Sequence, residues 1–363
     1  MPKVPIINTR KELRSVCSSI IENSEEQEEL DVRKKLKTYL IESNIDDVST
    51  ENIKGFFSIE HTADTSLKIL KAKLSEKSVL NFYLDIEDSR YWKLHSLYDS
   101  SLTEYVIKKL VEQNGSRLDY LWICSTILEK YMNFGKNTGF GVKFKNKFVK
   151  ESNEDVMKDV SMRFWGGGAK EVIRDLRENK LLKQGITLSA IGINHLVEGG
   201  YAKENITNFG RFTVMKGNSV DSHFNIVEKV KNDYSETINL LEDKYRIKVK
   251  KKDNGFKLSG SPLYIDFKEP IENVGMFVDV IASSTNPFRI SGVKRMVNDN
   301  FFRVFGIDLH TDDLVNMEIT PEWVSIYLNS ESCGNVVTRL LTNIQTHSTS
   351  QIKLYGGDNE RII

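Results

Sequence analysis

The sequence predicts an α+β protein in which a helical N-terminal domain precedes a larger, mostly antiparallel α+β domain with a long central helix. Three observations predict it. Apolar residues recur at helical spacing over the first forty positions, one apolar stripe runs from Val220 to Tyr245, and beyond it short alternating segments follow one another between turn residues. Proline usage marks the same change: after Pro5 the next is Pro262, followed by Pro270, Pro287 and Pro321. Proline belongs to loops and edge strands, so the last hundred residues are differently built. A chain of 363 residues is expected to hold two domains. These are read as 1–150, mainly helical with a few strands, and 151–363, α+β with a strand-rich C-terminal part. The polar, aperiodic stretch Lys150 to Asp159 joins them.

Taken in order, Thr9 caps a helix carrying Leu13, Val16, Cys17, Ile20 and Ile21 on one face. A second helix, with an acidic start from Ser24 to Glu29, carries Leu30, Leu36, Tyr39 and Leu40. Phe56 to Ile59 and Val79 to Leu84 read as strands, Tyr91 to Tyr98 and Leu102 to Val111 as helices, and Leu118 to Tyr131, apolar all round, as a core helix. A strand is expected around Val142 to Phe148, another over Val160 to Trp165, then a glycine corner and a helix from Ala169 to Asn179. Strands follow at Ile186 to Ile193 and Phe209 to Met215. The long helix, from Ser219 to Tyr245, carries Val220, Phe224, Val227, Tyr234, Ile238, Leu241 and Tyr245, with Lys231 interrupting the stripe. At 1.5 Å per residue it spans about 40 Å, the length of a domain. Strands are expected at 245–249, 256–258, 263–267, 276–281, 301–310, 314–319 and 323–328. A last helix, capped by Ser332 or Asn335, carries Val336, Val337, Leu340, Leu341 and Ile344.

Composition excludes several classes. Apolar residues make up 39% and charged residues 28%, enough apolar side chains for a sizeable core. Lys+Arg and Asp+Glu are both 51, a net charge of zero, so attraction to nucleic acid or an anionic surface has to come from a local patch. The three cysteines, Cys17, Cys124 and Cys333, are scattered and odd in number, as in a reduced compartment. The opening residues meet a charged helix by Arg10, leaving no apolar signal-peptide core, and no run of 18 apolar residues occurs. The expected location is the cytoplasm, with no membrane partner.

Four constellations can carry chemistry. Gly166-Gly167-Gly168, between a strand and a helix and flanked by Arg163 and Lys170, either lets the helix pack closely or cradles an anion, as in a phosphate or nucleotide sensor. Neither the nucleotide-triphosphate loop nor the dinucleotide fingerprint is matched. Asp253, Asp266 and Lys268 have the residue types of a metal-dependent nuclease or phosphodiesterase, two carboxylates for Mg²⁺ and a lysine for the attacking water. Asp253-Asn-Gly is equally an ordinary turn. Asp308, His310 and Asp312 would face one way along a strand, the arrangement of a three-ligand metal site, or would flank a solvated turn.

The densest basic stretch holds Lys248, Lys250, Lys251, Lys252 and Lys257; Lys143, Lys145 and Lys147 join it if two hairpins approach. Lysines interleaved with Phe140, Phe144, Phe148 and Phe256 suit a nucleic-acid backbone, while lysine on an edge strand also prevents aggregation. The histidines His61, His95, His195, His223 and His347 have no partner readable from spacing. The reading that follows is a non-enzymatic intracellular recognition or scaffold subunit of a multi-protein complex. It needs no cofactor, pairs with a protein partner or a second copy, and contacts nucleic acid through basic hairpins. The alternatives are the Mg²⁺ nuclease and the sensor at the glycine corner.

Overall fold

The structure is a computed structural model that describes residues 7–26, 35–148, 159–179, 182, 185–252 and 255–363, apart from the side chains of 24–26 and 252. In chain order the elements are α1 (Arg10–Glu26), β1 (Lys37–Ser43), β2 (Phe57–His61), β3 (Leu67–Ser75), β4 (Ser78–Asp85), β5 (Tyr91–Ser96), α2 (Ser100–Gln113), β6 (Leu118–Tyr120), α3 (Ser125–Tyr131), β7 (Lys136–Lys145), β8 (Asp159–Trp165), α4 (Ala169–Glu178) and β9 (Leu188–Val197). They continue as β10 (Gly200–Thr207), β11 (Arg211–Gly217), α5 (Val220–Leu240) with a π-helical turn over Leu241–Tyr245, β12 (Lys248–Lys252), β13 (Gly255–Ser259), β14 (Leu263–Phe267), α6 (Val274–Ile281), β15 (Ile290–Asn298), β16 (Phe301–Asp308), β17 (Leu314–Ile319), β18 (Trp323–Leu328), α7 (Asn335–His347) and β19 (Ile352–Gly356). The fold is mixed α+β with large antiparallel sheets. Among the described residues no helix is long and apolar enough to cross a membrane. Two compact units are formed, one from Met1–Leu121, Tyr131–Thr138 and Ile191–Asn232, the other from Trp122–Lys130, Gly139–Ala190 and Asp233–Ile363. The linker expected at 150–159 falls almost wholly outside the described residues.

The first unit is built on strands rather than helices, which corrects the expected helical N-terminal domain. Its sheet runs β2-β3-β4-β5-β1-β11-β10, with β6 also on β1. Leu36, Tyr39 and Leu40, expected on a helix, belong to or adjoin β1, and Tyr91 to Ser96 is β5. Both strands are central, so both faces are buried and the period-two alternation that would mark them is absent. All seven residues of β1 are buried. Leu118 to Tyr131 is likewise divided into β6 and the short α3. One sheet face packs Ile41, Phe82, Trp92 and Leu94 under Val106, Ile107 and Leu110 of α2. The other packs Leu36, Ile69, Tyr83 and Val214 under Leu13, Cys17 and Ile21 of α1. The cap expected at Thr9 is formed, since its Oγ1 accepts from Glu12 N at 3.1 Å.

Several polar groups buried in this sheet find partners. Lys37, fully buried, donates Nζ to the carbonyls of Lys35 and Tyr98 at 2.7 and 2.6 Å, and burial drives its ammonium down to about 8. Thr38 Oγ1 lies 2.9 Å from His95 Nδ1 and 2.7 Å from His223 Nε2, and His223 Nδ1 lies 2.8 Å from Glu204 Oε1. All four are buried.

In the second unit a six-stranded antiparallel sheet runs β15-β16-β17-β18-β14-β19. Its inner face carries Ile265, Val304, Met317, Val324 and Leu354 and is covered by α6 and by α7, which is buried from Asn335 to Gln345. The segment expected as a strand at 276–281 is α6 instead. Val274, Phe277, Val278 and Ile281 fall at helical spacing, and Asn273 Oδ1 caps the helix by accepting from Met276 N at 2.9 Å. The expected caps of α7 give way to Gly334, which makes no side-chain cap bond. All three cysteines are buried thiols outside any disulfide, and burial pushes Cys17 up to about 12 and Cys124 to about 11.

Candidate nucleic-acid interface

Among the described residues, strands β12 and β13 pair only with each other, as a two-stranded sheet of their own. The register sets Lys248 opposite Ser259, Val249 opposite Leu258, Lys250 opposite Lys257, Lys251 opposite Phe256 and Lys252 opposite Gly255. Directly opposed residues share a face. One side of this ribbon therefore carries Lys248, Lys250 and Lys257, and the other carries Val249, Lys251, Phe256 and Leu258. The apolar side is open: Val249, Phe256 and Leu258 are 61, 75 and 68% exposed. Each such side chain, if covered, gains about 1.5–3 kcal/mol. Isolated two-stranded ribbons are marginal in water, and opposed like charges weaken them further. The sequence of this element therefore does little for its own stability. Of the tip, Asp253, Asn254 and the Lys252 side chain lie outside the described residues.

The root of the ribbon is fixed. Arg246 donates Nε to the Ser332 carbonyl at 2.6 Å and pairs with Glu242 at 3.1 Å, while Ile247 N donates to Leu328 O at 2.8 Å. At the return strand Gly260 has φ +85°, and a Cβ there would sit 2.0 Å from Arg246 O, so only glycine closes the base.

The six-stranded sheet of the same unit has an outer face of its own. Cross-strand pairing forms a row Tyr355, Tyr264, Ser325, Glu318, Arg303, Arg295. Along the strands on that face stand Lys353, Asp266 and Trp323 to one side, and Tyr327, Asn316, Phe305 and Val293 to the other. Tyr264 meets Trp323 edge to face at 6.1 Å, and Tyr327 Oη donates to Glu318 Oε2 at 3.0 Å. Arg303 pairs with Glu318 at 3.0 Å. The rings of Tyr264, Trp323, Tyr327 and Tyr355 are half-buried and Ser325 between them is buried, while Arg295, Arg303 and Phe305 at the far edge are exposed; aromatic rings beside cations on a sheet are the ingredients of a base-stacking platform. The spacing Trp323, Ser325, Tyr327 is the sequence signal for this face.

Residues 1–363 match the protein family described as MJECL33-like protein. The chain belongs to the MJECL33-like family. It is 27% identical, over 364 aligned residues covering 88% of this chain and 87% of the relative, to the Methanocaldococcus jannaschii protein named "Uncharacterized protein MJECL33".

The remaining candidate residues of this MJECL33-like chain are placed as follows. Lys143 and Lys145 are exposed on β7, opposite Ser161 and Asp159 of β8, in a different sheet from the ribbon. The aromatic rings between them face inward: Phe140 and Phe144 are buried, and Phe140 stacks on Phe164 at 5.6 Å. Their role is core packing, not base stacking. Lys147 is half-buried, with its N donating to His347 O at 3.0 Å, and burial lowers its ammonium pKa. The same burial pushes His347 down to about 4.

At the glycine corner Gly168 caps α4 with φ +77°, Lys170 and Arg163 are exposed, and a Cβ on Gly168 would lie 3.7 Å from Glu171 Oε2. Glu171 thus places its own carboxylate at the helix N-terminus. Gly166 and Gly167 have negative or extended backbone, and Gly167 faces open space. Gly168→Ala is expected to cost about 1 kcal/mol and Gly167→Ala under about 0.5 kcal/mol, read by urea unfolding. Equal costs would show that the left-handed backbone is not what the glycines serve.

The strand alternation proposed for Asp308, His310 and Asp312 is not formed, because β16 ends at Asp308 and the next two residues are in a turn. Asp308 binds the buried Arg339 instead, and Asp312 is an exposed turn residue with φ +60°. His310 N donates to Asp308 Oδ1 at 3.2 Å. Asp253 lies outside the described residues, whereas Asp266 and Lys268 both line one cleft of about 410 Å³. Spacing missed the other side chains of that cleft, which come from as far apart as Ser125 and Arg361.

Proposed function

We propose that this protein is a non-enzymatic recognition subunit that holds single-stranded nucleic acid. The ribbon lysines Lys248, Lys250 and Lys257 contact phosphates, and the rings of the open sheet face contact bases. The observation that carries this reading is the opposed pair Lys250 and Lys257 on a ribbon that joins no larger sheet and leaves Phe256 75% exposed on its other side. Lysines that neutralise phosphates gain counterion-release free energy without any base contact. The zero net charge is compatible with this, because the cations are local. The apolar side of the ribbon, Val249, Phe256 and Leu258, suits a protein neighbour, which fits a subunit of an intracellular complex; the buried reduced thiols fit the cytoplasm.

Fluorescence anisotropy with single-stranded oligonucleotides over a salt series tests the proposal. Lys250→Ala with Lys257→Ala is expected to reduce the slope of log K against log salt by about 1.4 and to weaken binding about tenfold. An unchanged slope removes the ribbon from the interface.

A further inference from the structure

Asp266 and Lys268 line one polar cleft. It has a volume of about 410 Å³ and is made by α3, α4, β14, the end of α7, β19 and Arg361. Such a volume accommodates a small ligand. Its lining is unlike that of an apolar ligand site: Ile352 is the one aliphatic side chain, and the rest are charged, hydroxyl or amide groups.

The charges do not cancel. Glu129 is held by Arg177, whose Nη1 donates to both carboxylate oxygens at 2.9 and 2.7 Å. This fixes one wall and occupies the second carboxylate of the cleft. What remains is Asp266 facing three cations, Lys268, Lys353 and Arg361. Among the described residues Lys268 and Lys353 make no ion pair, and the Arg361 guanidinium donates Nε to the main-chain oxygen of Ile363 at 3.4 Å. Hydroxyl donors stand beside them. Ser125 is buried, its N donates to Gln345 Oε1 at 2.8 Å, and its Oγ accepts from Leu188 N at 2.9 Å. The Ser125 hydroxyl hydrogen is left to point elsewhere. A phosphomonoester satisfies such a set, with up to two negative charges and three acceptor oxygens for lysines, a guanidinium and a hydroxyl.

We infer that this cleft binds a phosphomonoester group, carried by a free nucleotide or by the phosphorylated end of a nucleic-acid strand. Asp266 and Lys353 are opposed on β14 and β19 and stand on the open aromatic face, so the cleft forms one end of that face. With one unengaged carboxylate the cleft is suited to holding the phosphate, not to gathering Mg²⁺ for its hydrolysis. The strand-end form of the inference rests on the nucleic-acid reading; the free-nucleotide form does not.

Thermal shift and calorimetry with inorganic phosphate, adenosine monophosphate, and matched 5′-phosphoryl and 5′-hydroxyl oligonucleotides test it. Phosphate at about 10 mM is expected to raise the melting temperature. Lys268→Ala with Lys353→Ala is expected to abolish the rise and to weaken monophosphate binding at least about tenfold, since each lost charge-assisted contact is of that order. Both lysines are exposed, and the double variant should melt like the parent without ligand. Tighter binding of the monophosphate than of the phosphorylated strand assigns the free nucleotide; a preference for the 5′-phosphoryl over the 5′-hydroxyl strand assigns the strand end. No shift with any phosphate, or an equal shift in parent and variant, overturns the inference. The ribbon variant Lys250→Ala with Lys257→Ala should keep phosphate binding, which separates failure of this site from failure of the nucleic-acid reading.

Discussion

Replacing Arg339 by alanine is expected to lower the unfolding free energy of the second unit by about 3–5 kcal/mol, because one buried charge would lose its partner. Arg339 is fully buried on α7. It donates Nε to the Phe288 carbonyl at 3.0 Å and Nη1 to Asn335 Oδ1 at 3.3 Å, and its Nη2 binds the Asp308 carboxylate. Asp308 closes β16 and is itself only 2% exposed. The interaction ties the covering helix to the end of a sheet strand and to the Phe288 backbone. Without the guanidinium the carboxylate stays in a site of low polarity, and desolvation is no longer offset by attraction. Urea unfolding of Arg339→Ala measures the loss. Arg339→Met combined with Asp308→Asn should recover part of it, since no charge then lacks a partner. A loss under about 1 kcal/mol for Arg339→Ala would mean that water reaches Asp308, and the pair would have no structural role.

Acidification from pH 7 to pH 5 is expected to remove about 2 kcal/mol of stability through His95 alone. Burial, then the neighbouring charges of His223 and Lys93, push the His95 imidazole down to about 3 from its ordinary 6.5. In the native protein it stays neutral over this range, while in the unfolded chain it binds a proton below about 6.5. Its contribution is therefore complete above pH 6.5 and declines as pH falls towards 3, by at most about 1.4 kcal/mol per unit. One hydrogen arrangement serves the whole buried chain of contacts. With both rings neutral, His95 Nδ1–H would donate to Thr38 Oγ1, the Thr38 hydroxyl to His223 Nε2, and His223 Nδ1–H to Glu204. A proton added to His95 has no acceptor within this chain. Urea midpoints at pH 7 and pH 5 for the parent and for His95→Gln provide the check. The difference between the two pH values should shrink in the variant, and an equal difference in both would assign the acid sensitivity to other groups.

The parts of this fold that the sequence announced are those with one exposed face. The α5 stripe through Val227, Tyr234 and Ile238 is legible because the opposite side is polar, and the hairpin strands β16 to β18 are legible because inward Val315, Met317 and Ile319 alternate with outward residues. Buried elements hid themselves. In β1 every position is buried and in β5 only Lys93 is not, so Leu40-Ile41 and Tyr91-Trp92 carry no period to separate strand from helix. The short α6 was concealed by the strand-like run Met276-Phe-Val-Asp-Val-Ile281, although Val274, Phe277, Val278 and Ile281 hold the helical spacing. The ribbon lysines were visible as a dense cluster, but their division into a basic and an apolar side depends on register, which a two-residue turn assignment alone sets. The polar cleft was out of reach, since Glu129, Arg177, Asp266 and Lys353 approach only through tertiary packing.

The three buried thiols make the native protein its own reporter of opening. A thiolate is the species that alkylates, and burial suppresses both its formation and its access. Cys17 lies in the first unit, and Cys124 and Cys333 lie in the second. Iodoacetamide added under native conditions can capture each sulfur only during the moments when its surroundings separate. Mass spectrometry of the labelled peptides would then time the loosening of each unit independently, with no engineered probe in the chain.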